Sequence, residues 1–142
     1  MAREDVSARC NAIEECYEFL LGYAGQGLPT DSGSQSGSQV RRFLQNASNA
    51  VLGIADSCSQ IVTELELEPA DKYQDFISVI RRDAESSSAA FELILAQPNI
   101  SSQLVDNLNA SIHVRALLTD LFVIGEVLRA KQVPAQEVSN AD

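Results

Sequence analysis

Residues 39–65 of the chain read QVRRFLQNASNAVLGIADSCSQIVTEL. Apolar side chains recur in this stretch at alternating steps of four and three residues, which is the spacing of one face of an α-helix. The repeat is carried by Val40, Leu44, Ala47, Val51, Ile54, Cys58, Ile61 and Leu65. The same spacing serves the core of a four-helix bundle, whose helices pack at a shallow angle. The stretch therefore predicts a long helix with one buried face.

The rest of the chain predicts three further helices of the same kind, and no segment shows the alternation of a strand. Prolines and glycines separate the apolar stripes. We expect helices at about 4–24, 39–65, 69–96 and 100–131, a mobile Gly/Ser-rich loop at 25–38 and a disordered tail at 134–142. The predicted fold is all-α, a mainly antiparallel four-helix bundle in which residues 1–142 form a single domain.

Composition and charge exclude several classes of partner. The 142 residues carry a formal net charge of −10, whereas nucleic-acid binding depends on Lys and Arg neutralising phosphates. An anionic membrane surface would repel the chain for the same reason. The sequence shows neither the apolar core of a signal peptide nor a run of about 18 apolar residues. We expect a cytoplasmic protein that binds neither nucleic acid nor membrane.

The reactive residue types do not form a recognisable catalytic or metal-binding motif. An odd number of cysteines (Cys10, Cys16 and Cys58) without Cys-x-x-Cys spacing disfavours a zinc site, and we expect them to pack as small apolar side chains. The di-metal sites of helical bundles need Glu-x-x-His on two helices, but the one histidine, His113, follows Ala110 at that spacing. We therefore predict no metal, no cofactor and no enzymatic activity.

One short stretch carries a family resemblance. Residues 111–119, SIHVRALLT, resemble the histidine box of two-component kinases, and histidine phosphotransfer domains are small four-helix bundles. The stretch departs from that box at Val114, where an acidic residue is usual. The resemblance implies His113 as a phosphoacceptor, with Arg115 helping to neutralise the phosphoryl group. The alternative is a histidine that is hydrogen-bonded at the edge of the core.

The predicted fourth helix is apolar on more than its core-facing side. The surplus apolar residues are Ile112, Ala116, Phe122, Val123 and Val127. A helix that is apolar most of the way round is buried on more than one side. We therefore expect this face to pack against another chain, either in a homo-oligomer, with a dimer favoured, or against a protein partner. The alternative is a wider core that the loop at 25–38 folds over.

Three functional hypotheses follow. The first is a non-enzymatic helical interaction protein: a homo-oligomeric scaffold, an adaptor or a chaperone-like factor. The second is a histidine phosphotransfer protein with His113 as the phosphoacceptor. The third is a bundle that binds an apolar small molecule between its helices, where the serines at 86–88 and Gly125 leave room.

Overall fold

The computed structural model describes the backbone of residues 2–141 and the side chains of residues 2–131. Within this part every helix or strand assigned is an α-helix, which confirms the predicted all-α class. The elements are α1 (Ala2–Ala24), α2 (Gln35–Val51), α3 (Ile54–Glu64), α4 (Ala70–Leu95), α5 (Ser102–Ala110) and α6 (His113–Ala141). Since α2 and α3 are the halves of one bent helix, the described residues form five helices. The tail that the sequence predicts to be disordered, 134–142, lies beyond the residues whose side chains are described.

Contacts between side chains give the direction of packing. Ser48 on α2 donates a hydrogen bond to Glu92 near the end of α4, and Ser59 on α3 donates to Gln74 near the start of α4. The bent helix therefore runs antiparallel to α4. Helix α1 packs against α2, α3, α5 and α6, and α4 packs against α2, α3 and α6. The largest fully buried side chains include Tyr23, Phe91, Ile13, Leu20, Leu44 and Ile54.

The predicted straight helix over 39–65 is bent in its middle. Gly53 has a φ of 81°, in the left-handed region that glycine adopts at no steric cost. The bend leaves carbonyl groups at the end of α2 without helical partners, and Arg9 of α1 reaches them. Its Nη1 donates to the Ala50 carbonyl at 3.1 Å and also to the Leu52 carbonyl. An arginine from the neighbouring helix therefore caps the bend.

The Gly/Ser-rich connection between α1 and α2 is attached to the α4–α5 connection. The segment predicted as a mobile loop, 25–38, contains Leu28, whose N–H donates to Ser102 Oγ at 2.9 Å. The Leu28 carbonyl accepts from the Ser102 N–H at 2.8 Å. Three residues further on, Asp31 accepts from the Ile100 N–H at 2.8 Å. These bonds hold the connection across one end of the helices.

Arg41, in the second turn of α2, links three segments at this end of the molecule. Its Nε donates to Asp31 at 2.8 Å, and its Nη atoms donate to the carbonyls of Leu95 at 3.1 Å and Gln97 at 2.8 Å. Burial acts to raise the pKa of Asp31, but the hydrogen bonds from Ile100 and Arg41 outweigh it and lower that pKa. The Arg41 guanidinium thus links α2 to the connection between α1 and α2 and to the end of α4.

The predicted fourth helix, 100–131, is divided in two. Ile112 has a φ of 65°, a left-handed conformation that is uncommon for a β-branched residue. It ends the run of α5 at Ala110, and α6 begins at His113. The Ile112 carbonyl then accepts from the Ala116 N–H at 2.8 Å. Because isoleucine is not a helix breaker by type, the sequence pattern gives no sign of this break.

Candidate interaction surface

Helix α6 exposes three large apolar side chains within two turns. Phe122 is 55% exposed, Val123 48% and Val127 39%; we call these three residues the α6 patch. The core-facing side of the same helix is buried, with Leu117 fully inaccessible and Leu121 nearly so. Helix α6 is therefore apolar on a second, outward side, which a self-contained packing of helices does not require.

The α6 patch differs from the other exposed apolar side chains because its three members lie on one short helical segment. The remaining large ones among the described residues are Leu21, Leu52, Leu65, Leu93 and Ile112. Each of these lies on a different segment of the chain. Single exposed apolar side chains are normal on protein surfaces, whereas contiguous groups mark binding surfaces. The α6 patch is therefore the strongest candidate for an interaction site.

A groove runs between the α6 patch and the start of α4. It has a volume of about 290 Å³, and we call it the α4–α6 groove. Its lining residues are Pro69, Lys72, Tyr73 and Phe76 on the α4 side, and Val123, Ile124 and Val127 on α6. Tyr73 and Phe76 are three residues apart, so they share one face of α4. Lys72 is the one charged residue in this lining.

A second groove lies on the opposite flank of α6, bounded by α1 and α3. It has a volume of about 570 Å³. Val6 and Cys10 of α1 and Ile61 of α3 contribute apolar lining, and Phe122 and Gly125 line it from α6. A Cβ atom on Gly125 would meet no other heavy atom within 4 Å. The segment of α6 that carries the patch thus forms a ridge between two grooves.

The structure brings together three of the five residues predicted for the outward face. Ile112 is exposed but precedes α6, and its position is ten residues, roughly 15 Å of helix rise, from Phe122. Ala116 is half-buried. In their place the structure adds Tyr73 and Phe76 from α4. The sequence indicates that these two residues share a helix face, but it does not indicate that α4 packs against α6.

His113 is exposed and is the first residue of α6. Arg115, the predicted helper of a phosphoryl group, is exposed as well. The resemblance to a histidine box implies a histidine within a helix, whereas here the helix starts at the histidine. The side chain is nevertheless accessible to a protein that could phosphorylate it.

The three thiols lie in packed surroundings. Cys16 and Cys58 are buried and Cys10 is half-buried. Burial raises the pKa of the Cys10 thiol to about 11 and those of Cys16 and Cys58 to about 12. At neutral pH these groups are protonated, and a protonated thiol is a poor nucleophile. This agrees with the predicted packing role.

Among the described residues, no three or more His, Cys, Asp or Glu side chains gather in a way that could hold a metal ion. None of the helices in this part is long and apolar enough to cross a membrane.

Comparisons with protein-family models, with curated proteins and with solved structures find no match for this chain.

Proposed function

We propose that this chain is a non-enzymatic interaction protein that self-associates through the α6 patch. It is built on an antiparallel four-helix bundle whose fourth member is divided into α5 and α6. The observation that carries the proposal is the exposure of Phe122, Val123 and Val127 on one segment of α6, with Val123 and Val127 lining the α4–α6 groove and Phe122 lining the second groove. Removing apolar surface from water favours association by about 25 cal/mol per Å². A second chain that covered the patch would gain this energy at little conformational cost, because the patch lies on a helix.

The shape of the surface favours a second copy as the occupant. A twofold dimer uses the same patch on both chains, so the patch must offer both a projection and a recess. The α6 ridge is the projection, and the grooves on its flanks are the recesses. Ridges of one helix packing into grooves beside another is the usual way in which helices meet.

The local charge also permits self-association. The chain has a net charge of −10, which would oppose contact between two copies if the excess lay at the patch. Next to the patch, however, Glu126 forms an ion pair with Arg129 at 2.8 Å, and Lys72 lines the α4–α6 groove. Two copies could therefore meet here without bringing an uncompensated acidic cluster together.

Sedimentation equilibrium of the wild-type chain tests the proposal. The weight-average mass should rise from 15.4 kDa toward twice that value as the protein concentration increases through the micromolar range. A single-chain mass throughout that range would contradict the homo-oligomer. In that case a chain that still bound another protein through the α6 patch would act as an adaptor.

The exposure of His113 favours a second candidate function, histidine phosphotransfer. If His113 is a phosphoacceptor, a phosphorylated receiver domain will transfer acid-labile phosphate to the wild-type chain and none to His113→Ala. Because His113 is the one histidine in the sequence, phosphate that is acid-labile and base-stable can be assigned to it by loss in this variant. Absence of transfer, or transfer that persists in His113→Ala, would rule this function out.

A further inference from the structure

Asp83 on α4 and Asp120 on α6 meet at the contact between these helices. Both residues are half-buried, and their side chains are within hydrogen-bonding reach of each other. The Oδ2 atom of Asp120 is inaccessible to solvent, and no other protein donor reaches it. Two ionised carboxylates can only accept hydrogen bonds. The contact is therefore satisfied only when one of the two groups carries a proton.

We propose that these two carboxyls form a proton-linked clasp between α4 and α6, which holds while one proton is shared and weakens when that proton is lost. In the protonated form the acid of one residue donates to the other, and the buried oxygen has a partner. In the fully ionised form two like charges face each other in a partly buried contact, and that contact is destabilised.

The environment of Asp120 places this transition near neutral pH. Burial is the main cause and the facing carboxyl of Asp83 the second, and together they raise the pKa of Asp120 to about 7. Asp83, from α4, is the charged group that acts on it within the described residues. The helices α1 and α5, which also pack against α6, contribute no cation that would offset the effect.

The sign of the pH dependence follows from this shift. The folded chain binds the proton more tightly than the unfolded chain, whose aspartate titrates near pH 4. The contribution of the pair to stability is therefore greatest below about pH 4, declines as the pH rises, and levels off above about pH 7. Ile124, one turn after Asp120, lines the α4–α6 groove, so the clasp lies next to the proposed interaction surface but does not depend on it.

Asp120→Asn tests the clasp, because the amide can donate to Asp83 and cannot ionise. Between about pH 5.5 and about pH 8, we expect the melting temperature of this variant relative to wild type to rise by roughly 3–5 °C. The reciprocal variant Asp83→Asn should show the same trend. Asp75→Asn, which changes an exposed acid on α4, should show no such trend.

A carbon NMR titration of the wild-type aspartate carboxyls, in EDTA, keeps the test valid if a variant does not fold. One aspartate should titrate near pH 7. The clasp is refuted if every aspartate titrates below about pH 5, or if the melting-temperature difference of a folded Asp120→Asn variant is the same at both pH values. Neither outcome bears on self-association, which is measured separately.

Discussion

Substitution of alanine for Arg41 is expected to lower the free energy of unfolding by about 2–3 kcal/mol. The variant leaves the carboxylate of Asp31 without its cation, and the carbonyls of Leu95 and Gln97 lose a charged donor. Breaking a fully buried pair by removing one partner costs about 3–5 kcal/mol. The value here is smaller because the Arg41 side chain is 37% exposed, although that of Asp31 is only 12% exposed. Urea denaturation at a fixed protein concentration measures the loss.

The neighbouring arginine supplies a matched control for this variant. Arg42 is exposed, and its guanidinium lies 5.7 Å from the centroid of the Phe43 ring. An exposed contact of this type contributes up to about 1 kcal/mol, so Arg42→Ala should cost less than Arg41→Ala. Because the pKa of Asp31 is lowered in the folded chain, the Arg41 effect should also shrink as the pH falls through that pKa. Equal losses of unfolding free energy for the two variants would show that the contacts of Arg41 with Asp31 and α4 do not stabilise the fold.

Val123→Asp is expected to weaken self-association by roughly 100-fold or more. The new carboxylate would have to leave water at the centre of the proposed interface, and a cost of about 2.7 kcal/mol already corresponds to that factor. In a twofold dimer the substitution occurs on both sides of the interface. Since Val123 is 48% exposed in the single chain, the fold itself should be little affected. Sedimentation equilibrium gives the dissociation constant, and thermal unfolding checks the fold.

Leu93→Asp is the control for a charge placed on an exposed apolar residue. Leu93 is 66% exposed on α4, and it lies 17 residues, roughly 25 Å of helix rise, from Phe76 in the α4–α6 groove. This variant should associate as the wild type does. An equal loss of association in both variants would indicate a general effect of added negative charge rather than a local interface.

The sequence predicted most closely the element that prolines delimit. The third predicted helix, 69–96, corresponds to α4 at Ala70–Leu95, because Pro69 marks its start and Pro98 follows its end. The bend at Gly53 and the break at Ile112 were not predicted. The first depends on Arg9 of another helix to cap the freed carbonyls, and the second places an isoleucine in a conformation that its residue type disfavours.

The candidate surface was predictable on one side only. The period of α6 indicates an outward apolar face, but the residues that complete the groove, Tyr73 and Phe76, depend on which helix lies beside it. The contact between Asp31 and Ile100 similarly joins positions 69 residues apart. The composition of residues 25–38 predicted a loop but did not predict which segments of the chain it contacts. Local periodicity determines which face is apolar, whereas tertiary packing determines what covers it.

If two copies of the chain meet through the α6 patch, the methyl groups of one copy lie close to those of the other. An isotope-filtered NMR experiment on an equal mixture of carbon-13-labelled and unlabelled chains tests it directly, since it detects only contacts between different molecules. Intermolecular cross-peaks are expected at the methyl groups of Val123 and Val127 in concentrated samples. A dimer whose cross-peaks arise elsewhere, such as at Leu21 or Leu93, would contradict association through the α6 patch, and so would the absence of cross-peaks at a concentration where the measured mass is that of two chains.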